Sequence, residues 1–356
     1  MSLNQIMTDI GQIMLDVYPL VMAKRQFTEQ DTKRLRQSLD RLAKRFRQAQ
    51  PYFNKRSDNY QVSYEFISRY LDVLQETLQS NEIDYARSYL YALGEICSSC
   101  HTQDSTLRTL FGGATREDFD SDYAYAELNY MTREYDKAIN YFDKYLHSSR
   151  QKTELDIIQP LQRIITIYIQ VQNAPEKALD RLKQYTTLKH HTPATLSELN
   201  GWIEGLEMLV ASGVGKVNTL SFDALKRYVK QYLGDPAKLS IRIQSTPQQE
   251  VGRIWLRGRL YRYLNRNPAT REVPVLLYWL AVVDRSIAYN FYFSLADLYL
   301  RDCTLNYPQH PYAQKCYREY KNYVADIYQK QGDPLPPGIA AELREMQQAL
   351  SRARIN

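Results

Sequence analysis

Apolar side chains recur every three or four positions through most of this chain, the period of a helix with one buried face. Residues 1–101 resolve into four such stretches with short connections. The first runs from about Leu3 to Arg25, with Ile6, Ile10, Ile13, Met14, Val17 and Val21 on one face and a kink expected at Pro19. Thr28 caps the second, with Asp31 three residues on, and Leu35, Leu39, Leu42 and Phe46 carry its stripe as far as "AQPYFNKRSDN". The third spans about Ser57 to Leu78 through Val62, Phe66, Tyr70 and Leu74. Asn81 can cap the fourth, whose apolar positions are Ile83, Ala86, Leu90, Leu93, Cys97 and Cys100. Four amphipathic helices on short loops predict an up-down-up-down bundle.

The pattern then changes. "TLFGGATREDFDSD", with Gly112 and Gly113 and scattered acids, reads as a linker. Beyond about residue 120, small and aromatic residues recur in paired helices. Ala126, Tyr135, Ala138, Phe142 and Tyr145 form one set, and Ala178, Leu182 and Tyr185 repeat its second half. Ala296, Tyr299, Ala313, Tyr317 and Tyr320 form another near the end. Small residues let two helices approach closely while aromatics fill the groove between pairs. This spacing resembles tetratricopeptide repeats over about half of residues 120–330, although "WLRGRLYRYL" and "VPVLLYWLAVV" are helical without being repeat-like. The expected fold is all-α: a bundle over residues 1–105, a linker over 106–120 and a repeat solenoid over 121–356.

Composition adds two points. Thirty tyrosines against ten phenylalanines favour half-buried positions with a packed ring and a wet hydroxyl, hence much curved surface. The net charge of +6 is not gathered into a tail. Its densest run, "DTKRLRQSLDRLAKRFRQ", is read as the solvated face of an amphipathic helix, with a docking face for an acidic protein as the alternative. No nucleic-acid-binding motif accompanies the charge, and no apolar run is long enough to span a bilayer. No signal peptide is visible, and "MSLNQ" is read as a start replacing a removed export sequence.

The chemistry concentrates in "GEICSSCHTQ", residues 94–103. A thioredoxin-type dithiol wants its reactive cysteine at a helix N-terminus after a strand, where the dipole stabilises a thiolate. Here the cysteines end a helix. Structural zinc needs four ligands, and Cys97, Cys100 and His101 supply three, the next histidine being His147. Covalent haem fits best. Thiols at i and i+3 lie on one side of a turn and can both add to the vinyl groups of one haem edge, leaving His101 on the same side for the iron.

A four-helix bundle with Cys-x-x-Cys-His closing its last helix resembles the class II c-type cytochromes, the cytochrome c′ group, over residues 3 to about 108. The resemblance implies one covalently held haem c per chain, bound through Cys97, Cys100 and His101. It implies that the first helix meets the far side of the iron, either with an apolar residue or with a methionine, for which Met14 is the candidate; Ile10 and Met7 lie earlier on the same stripe. The family's basic residue after the motif is delayed here to Arg108.

Elsewhere, Cys303 and Cys316 are placed for a disulfide or two buried thiols, and covalent haem implies an oxidising, exported location such as the periplasm. "ASGVGKVN" fails as a phosphate loop, since Val217 stands where Ser or Thr must hold magnesium. "KHH" at 189–191 reads as a wet turn. No nucleophile triad or catalytic carboxylate pair is found, so the expectation is a non-enzymatic protein. Electron transfer, with the repeats docking a partner protein, is the first reading. A sensor of NO or CO with an open iron is the second, and a repeat scaffold without cofactor the third.

Overall fold

A computed structural model describes residues 1–23, 25–53, 59–80, 83, 86–87, 90–91, 93–94, 114–148, 152–188, 191–217, 220–267, 270–287, 295–328 and 334–355. Among the described residues there are fourteen α-helices and no strand, so the chain is all-α. It divides into two compact units, Met1–Ile167 and Tyr168–Asn356.

In the first unit, α1 (Leu3–Met22) opens on a capping box in which Ser2 Oγ accepts from Gln5 N and the Gln5 side chain answers to Ser2 N. The helix runs on through Pro19. α2 (Glu29–Phe53) starts the same way, with Asp31 N donating to Thr28 Oγ1 at 3.1 Å and Thr28 N to Asp31 Oδ2 at 2.9 Å. α3 is Asn59–Gln79. The predicted stripes are the buried ones. Ile13, Met14, Val17 and Val21 from α1, Leu35, Leu39, Leu42 and Phe46 from α2, and Leu74 and Leu78 from α3 share one core. Ile83, Ala86, Leu90 and Leu93 are helical positions whose side chains join or pack against that core. Each aliphatic side chain buried this way contributes about 1.5–3 kcal/mol, an upper figure because the unfolded chain hides some surface already.

The same core continues beyond the expected linker. Residues 106–113 lie outside the described residues, but Arg116–Asp118 form a 3₁₀ turn and Phe119 is buried. α4 (Asp122–Met131) contributes Ala124, Tyr125, Leu128 and Met131 to the cluster and contacts α1. α5 (Tyr135–His147) and α6 (Leu155–Thr166) follow, α6 passing into a π-helical turn at Ile167–Val171.

The second unit holds α7 (Pro175–Tyr185), α8 (Pro193–Ala211), α9 (Phe222–Leu233), α10 (Pro247–Arg266), α11 (Val273–Ser286), α12 (Ala296–Leu305), α13 (Pro311–Tyr328) and α14 (Pro337–Ile355). Small positions singled out in the sequence, Ala138, Ala178, Ala296 and Ala313, are fully buried, and Phe142, Tyr145, Tyr185 and Tyr320 pack inside with them. α11 is buried on every side, from Val273 through Val283 but for the half-buried Val275. A helix with no wet face has no amphipathic period, which is why this stretch matched no repeat. Cys303 on α12 and Cys316 on α13 form a disulfide with their Cα atoms 6.3 Å apart.

Candidate functional site

Cys97, Cys100, His101 and Arg108 lie outside the described residues. What the structure describes is the segment before them, as far as Gly94, and α1. Met14 is 4% exposed on the core face of α1, between Ile13 and Val17, with Ile10 and Met7 half-buried one and two turns earlier. Arg87 Nε donates to Val21 O at 2.8 Å and Nη1 to Arg25 O at 3.3 Å, which neutralises carbonyls at the C-terminal end of α1. The same guanidinium lies 5.1 Å from the centre of the Phe27 ring.

Seven residues on, Gly94 meets Tyr18. A Cβ at residue 94 would stand 2.9 Å from Tyr18 Cε2 and 3.4 Å from Met131 Sδ. The glycine that opens "GEICSSCHTQ" therefore sits where two helices touch and leave no room for a side chain. Residue 87 pairs with 21–25 and residue 94 with 18, so this segment runs antiparallel to α1.

The same unit holds a polar cluster that no sequence pattern announces. Glu127 on α4 is 2% exposed, with its carboxylate 3.3 Å and 3.4 Å from Arg163 Nε and Nη2 on α6. Arg163 also lies over the Tyr130 ring at 4.7 Å, and Tyr123 donates to Gln159 Oε1 at 3.1 Å. Burial pushes the Glu127 carboxyl up to about 8, against a hydrogen bond from Tyr123 that favours the anion. Tyr91 is held up to about 12 by burial and then by the Glu127 charge. Each of these residues is unremarkable alone in sequence, and 36 positions separate Glu127 from Arg163.

Part of the basic face of α2 is tied to neighbouring helices while staying exposed. Arg45 pairs with Asp9 at 3.0 Å and Arg41 with Asp16 at 3.4 Å, both on α1, while Arg47 pairs with Asp72 on α3 at 2.8 Å. Arg36 donates to Leu78 O at 3.0 Å. Exposed pairs of this kind contribute about 0–1 kcal/mol each. Lys33, Arg34 and Lys44 are exposed on this helix.

The other sequence candidates are structural where they are described. "ASGVGKVN" ends α8 as a turn, with Gly213 in the left-handed region at φ 67° and Gly215 O accepting from Arg259 at 3.3 Å. His191 makes a 2.7 Å hydrogen bond to Tyr185 O through Nε2. Among the described residues no three His, Cys, Asp or Glu side chains converge as a metal site. No family model, curated protein or solved structure matches the chain. No helix among the described residues is long and apolar enough to cross a membrane.

Proposed function

We propose that this chain is an exported haem c protein for electron transfer or redox relay, built as a cytochrome c′-like four-helix bundle followed by a tetratricopeptide-like array that docks a partner protein. The observation that carries the reading is register. The contacts of Arg87 with Val21 and of Gly94 with Tyr18 set the fourth stripe antiparallel to α1. Extended by one turn that register reaches Met14, and by two turns Ile10, and the turn in question is where "CSSCH" stands in the sequence. The donor set fits the group: two thiols at i and i+3 for attachment and an adjoining imidazole in the sequence, and a buried thioether at Met14 on α1.

On this reading Cys97 and Cys100 would anchor the haem, and His101 and Met14 would be the side chains that hold its iron. Haem c, when bound, supplies a one-electron iron couple whose potential methionine ligation raises. The apolar core around Met14 would exclude water from that side. The Cys303–Cys316 disulfide supports the same compartment, because both it and covalent haem attachment belong to oxidising locations.

The test is mass spectrometry of the peptide spanning Cys97–Cys100 from protein made together with haem-attachment machinery, with pyridine haemochrome and CO-difference spectra. A haem adduct with low-spin, methionine-type absorption is expected. A high-spin iron that takes up CO would move the assignment to gas sensing, with the iron facing Ile10 rather than Met14. Absence of an adduct under those conditions would leave a repeat scaffold without cofactor.

A further inference from the structure

Little apolar surface and one polar clasp hold α14 to its unit. It contacts α12 and α13, and among its described side chains only Met346 and Leu350 are buried. The clasp is Glu342. Its Oε1 lies 3.0 Å from Arg301 Nη1 on α12, and its Oε2 accepts from Tyr320 on α13 at 2.5 Å. Arg301 is 1% exposed, so the pair closes over a buried guanidinium. Burial and then the Glu342 charge hold the Tyr320 phenol far above its usual value, which keeps it a donor to that carboxylate.

One turn before Arg301 on the same helix stands a second carboxyl, Asp297. Its Oδ1 is shut off from solvent with no hydrogen-bond partner, although the residue as a whole is half-exposed. An oxygen closed off without a donor carries charge poorly. Burial pushes the Asp297 carboxyl up to about 7; Arg285 and Arg301 pull it back, while Glu342 and Asp284 raise it further. Asp284 on α11 is paired with Arg257 at 2.9 Å, and Arg285 on α11 lies over the Tyr323 ring of α13 at 4.7 Å. The first turn of α12 also favours an anion, so burial and the two carboxylates act against the helix end and two guanidinium groups.

Of the charged groups acting on Asp297, only Glu342 belongs to α14. Undocking that helix takes one negative charge from beside Asp297 and opens the Arg301 guanidinium to water. We propose that α14 is held by a proton-linked latch: it docks on α12 and α13 with Asp297 protonated beside the Arg301–Glu342 pair, and ionisation of Asp297 loosens it. The sign follows from linkage. Undocking moves the carboxyl towards its ordinary 3.8, so docking takes up a proton, and the docking constant falls by up to about tenfold per pH unit as pH rises towards 7. Release uncovers the surface of α12 and α13 that Met346 and Leu350 cover.

Hydrogen exchange of the full chain, read by mass spectrometry on peptides of α14 and corrected for the intrinsic pH dependence of exchange, tests the latch. Protection of α14 should fall between about pH 5 and about pH 7, approaching tenfold per unit, and level off beyond, while peptides of α8 and α10 keep theirs. Asp297→Asn, a neutral side chain of the same shape, should hold α14 protection level across that range. Flat α14 protection in the parent overturns the proposal. So does an equal loss in α8 and α10, which would assign the titration to the whole unit. An Asp297→Asn protein that keeps the parent's slope overturns it as well; should that variant not fold, the parent's profile decides alone. The local readout keeps the result apart from the titration of Glu127, which lies in the other unit. No outcome bears on whether haem is attached at Cys97 and Cys100.

Discussion

A close approach between two helices of the second unit predicts what a single methyl group should do. Gly205 on α8 faces α10 so tightly that a Cβ would stand 2.4 Å from Gln248 O and 3.0 Å from Val251 Cβ. A carbon and a carbonyl oxygen normally come no nearer than about 3.3 Å. Gly205→Ala therefore forces the helices apart by roughly 0.9 Å against a backbone atom that cannot rotate away. Overpacking of this kind costs about 1–3 kcal/mol. The same interface holds the buried bond from Trp202 Nε1 to Glu250 Oε2 at 2.9 Å, and stretching it adds up to about 1–3 kcal/mol more. The gain in helix propensity from Gly to Ala returns about 1 kcal/mol. The net expectation is a loss of about 1–5 kcal/mol. Two neighbours calibrate it. At Gly201 the Cβ would meet Pro247 Cβ at 2.8 Å and Gln248 N at 3.3 Å, a ring atom and a backbone atom that cannot rotate away, so Gly201→Ala should also destabilise, by less than Gly205→Ala because its approach is less close. At Gly338 nothing lies within 4 Å, so Gly338→Ala should stabilise by up to about 1 kcal/mol. The three tryptophans, Trp202, Trp255 and Trp279, all belong to Tyr168–Asn356, so urea unfolding followed by tryptophan fluorescence reports this unit. The order of midpoints should be Gly338→Ala, parent, Gly201→Ala, then Gly205→Ala well below. A Gly205→Ala midpoint equal to the parent's would refute the close approach of α8 and α10.

Three further expectations are independent of that one. The Cys303–Cys316 bridge closes a loop with a sequence separation of 13, for which chain entropy gives about 3 kcal/mol, so Cys303→Ser with Cys316→Ser should lower the unfolding free energy read from the tryptophan signal in urea by that amount. Glu127 titrates in the folded protein near 8 against 4.5 unfolded, so its protonated form favours folding: stability is full below about pH 4.5 and drains away as pH rises towards 8. Melting temperatures across that range should fall for the parent and flatten for Glu127→Gln, and parallel curves would contradict a neutral Glu127. Met14→Leu should cost under about 1.5 kcal/mol and Met14→Ala about 2–5, by chemical unfolding of the haem-free protein. In haem-loaded protein Met14→Leu should turn a low-spin spectrum high-spin, and an unchanged spectrum would remove Met14 as the ligand.

Local features were legible in the sequence because each depends on residues within a turn or two of one another. The α2 stripe of Leu35, Leu39, Leu42 and Phe46 is buried, Thr28 and Asp31 cap each other, and the small positions Ala138, Ala178, Ala296 and Ala313 are closed off from water. What could not be read depends on pairings between distant elements. Nothing in "DTKRLRQSLDRLAKRFRQ" says that its arginines reach Asp9, Asp16 and Asp72, so a stretch that reads as a free basic face is partly a set of interhelix ties. α11 lacks a polar face because neighbours cover it all round, a property of its surroundings and not of its own period.

The same distinction governs the candidate site. Periodicity alone puts Met14 on the core face, and its burial follows whether or not it ever meets iron, since methionine is an ordinary filler of helical cores. Burial therefore carries little weight for ligation. Gly94 carries more, because its lack of a side chain is required by the Tyr18 ring and that contact fixes the level at which the fourth stripe passes α1. On the proposed reading, a shift of one helical turn in that register would exchange Met14 for Ile10 as the residue offered to the iron, and with it a six-coordinate electron carrier for an open iron. The close approach at Gly94 would then be the described contact that separates the two haem chemistries of that proposal.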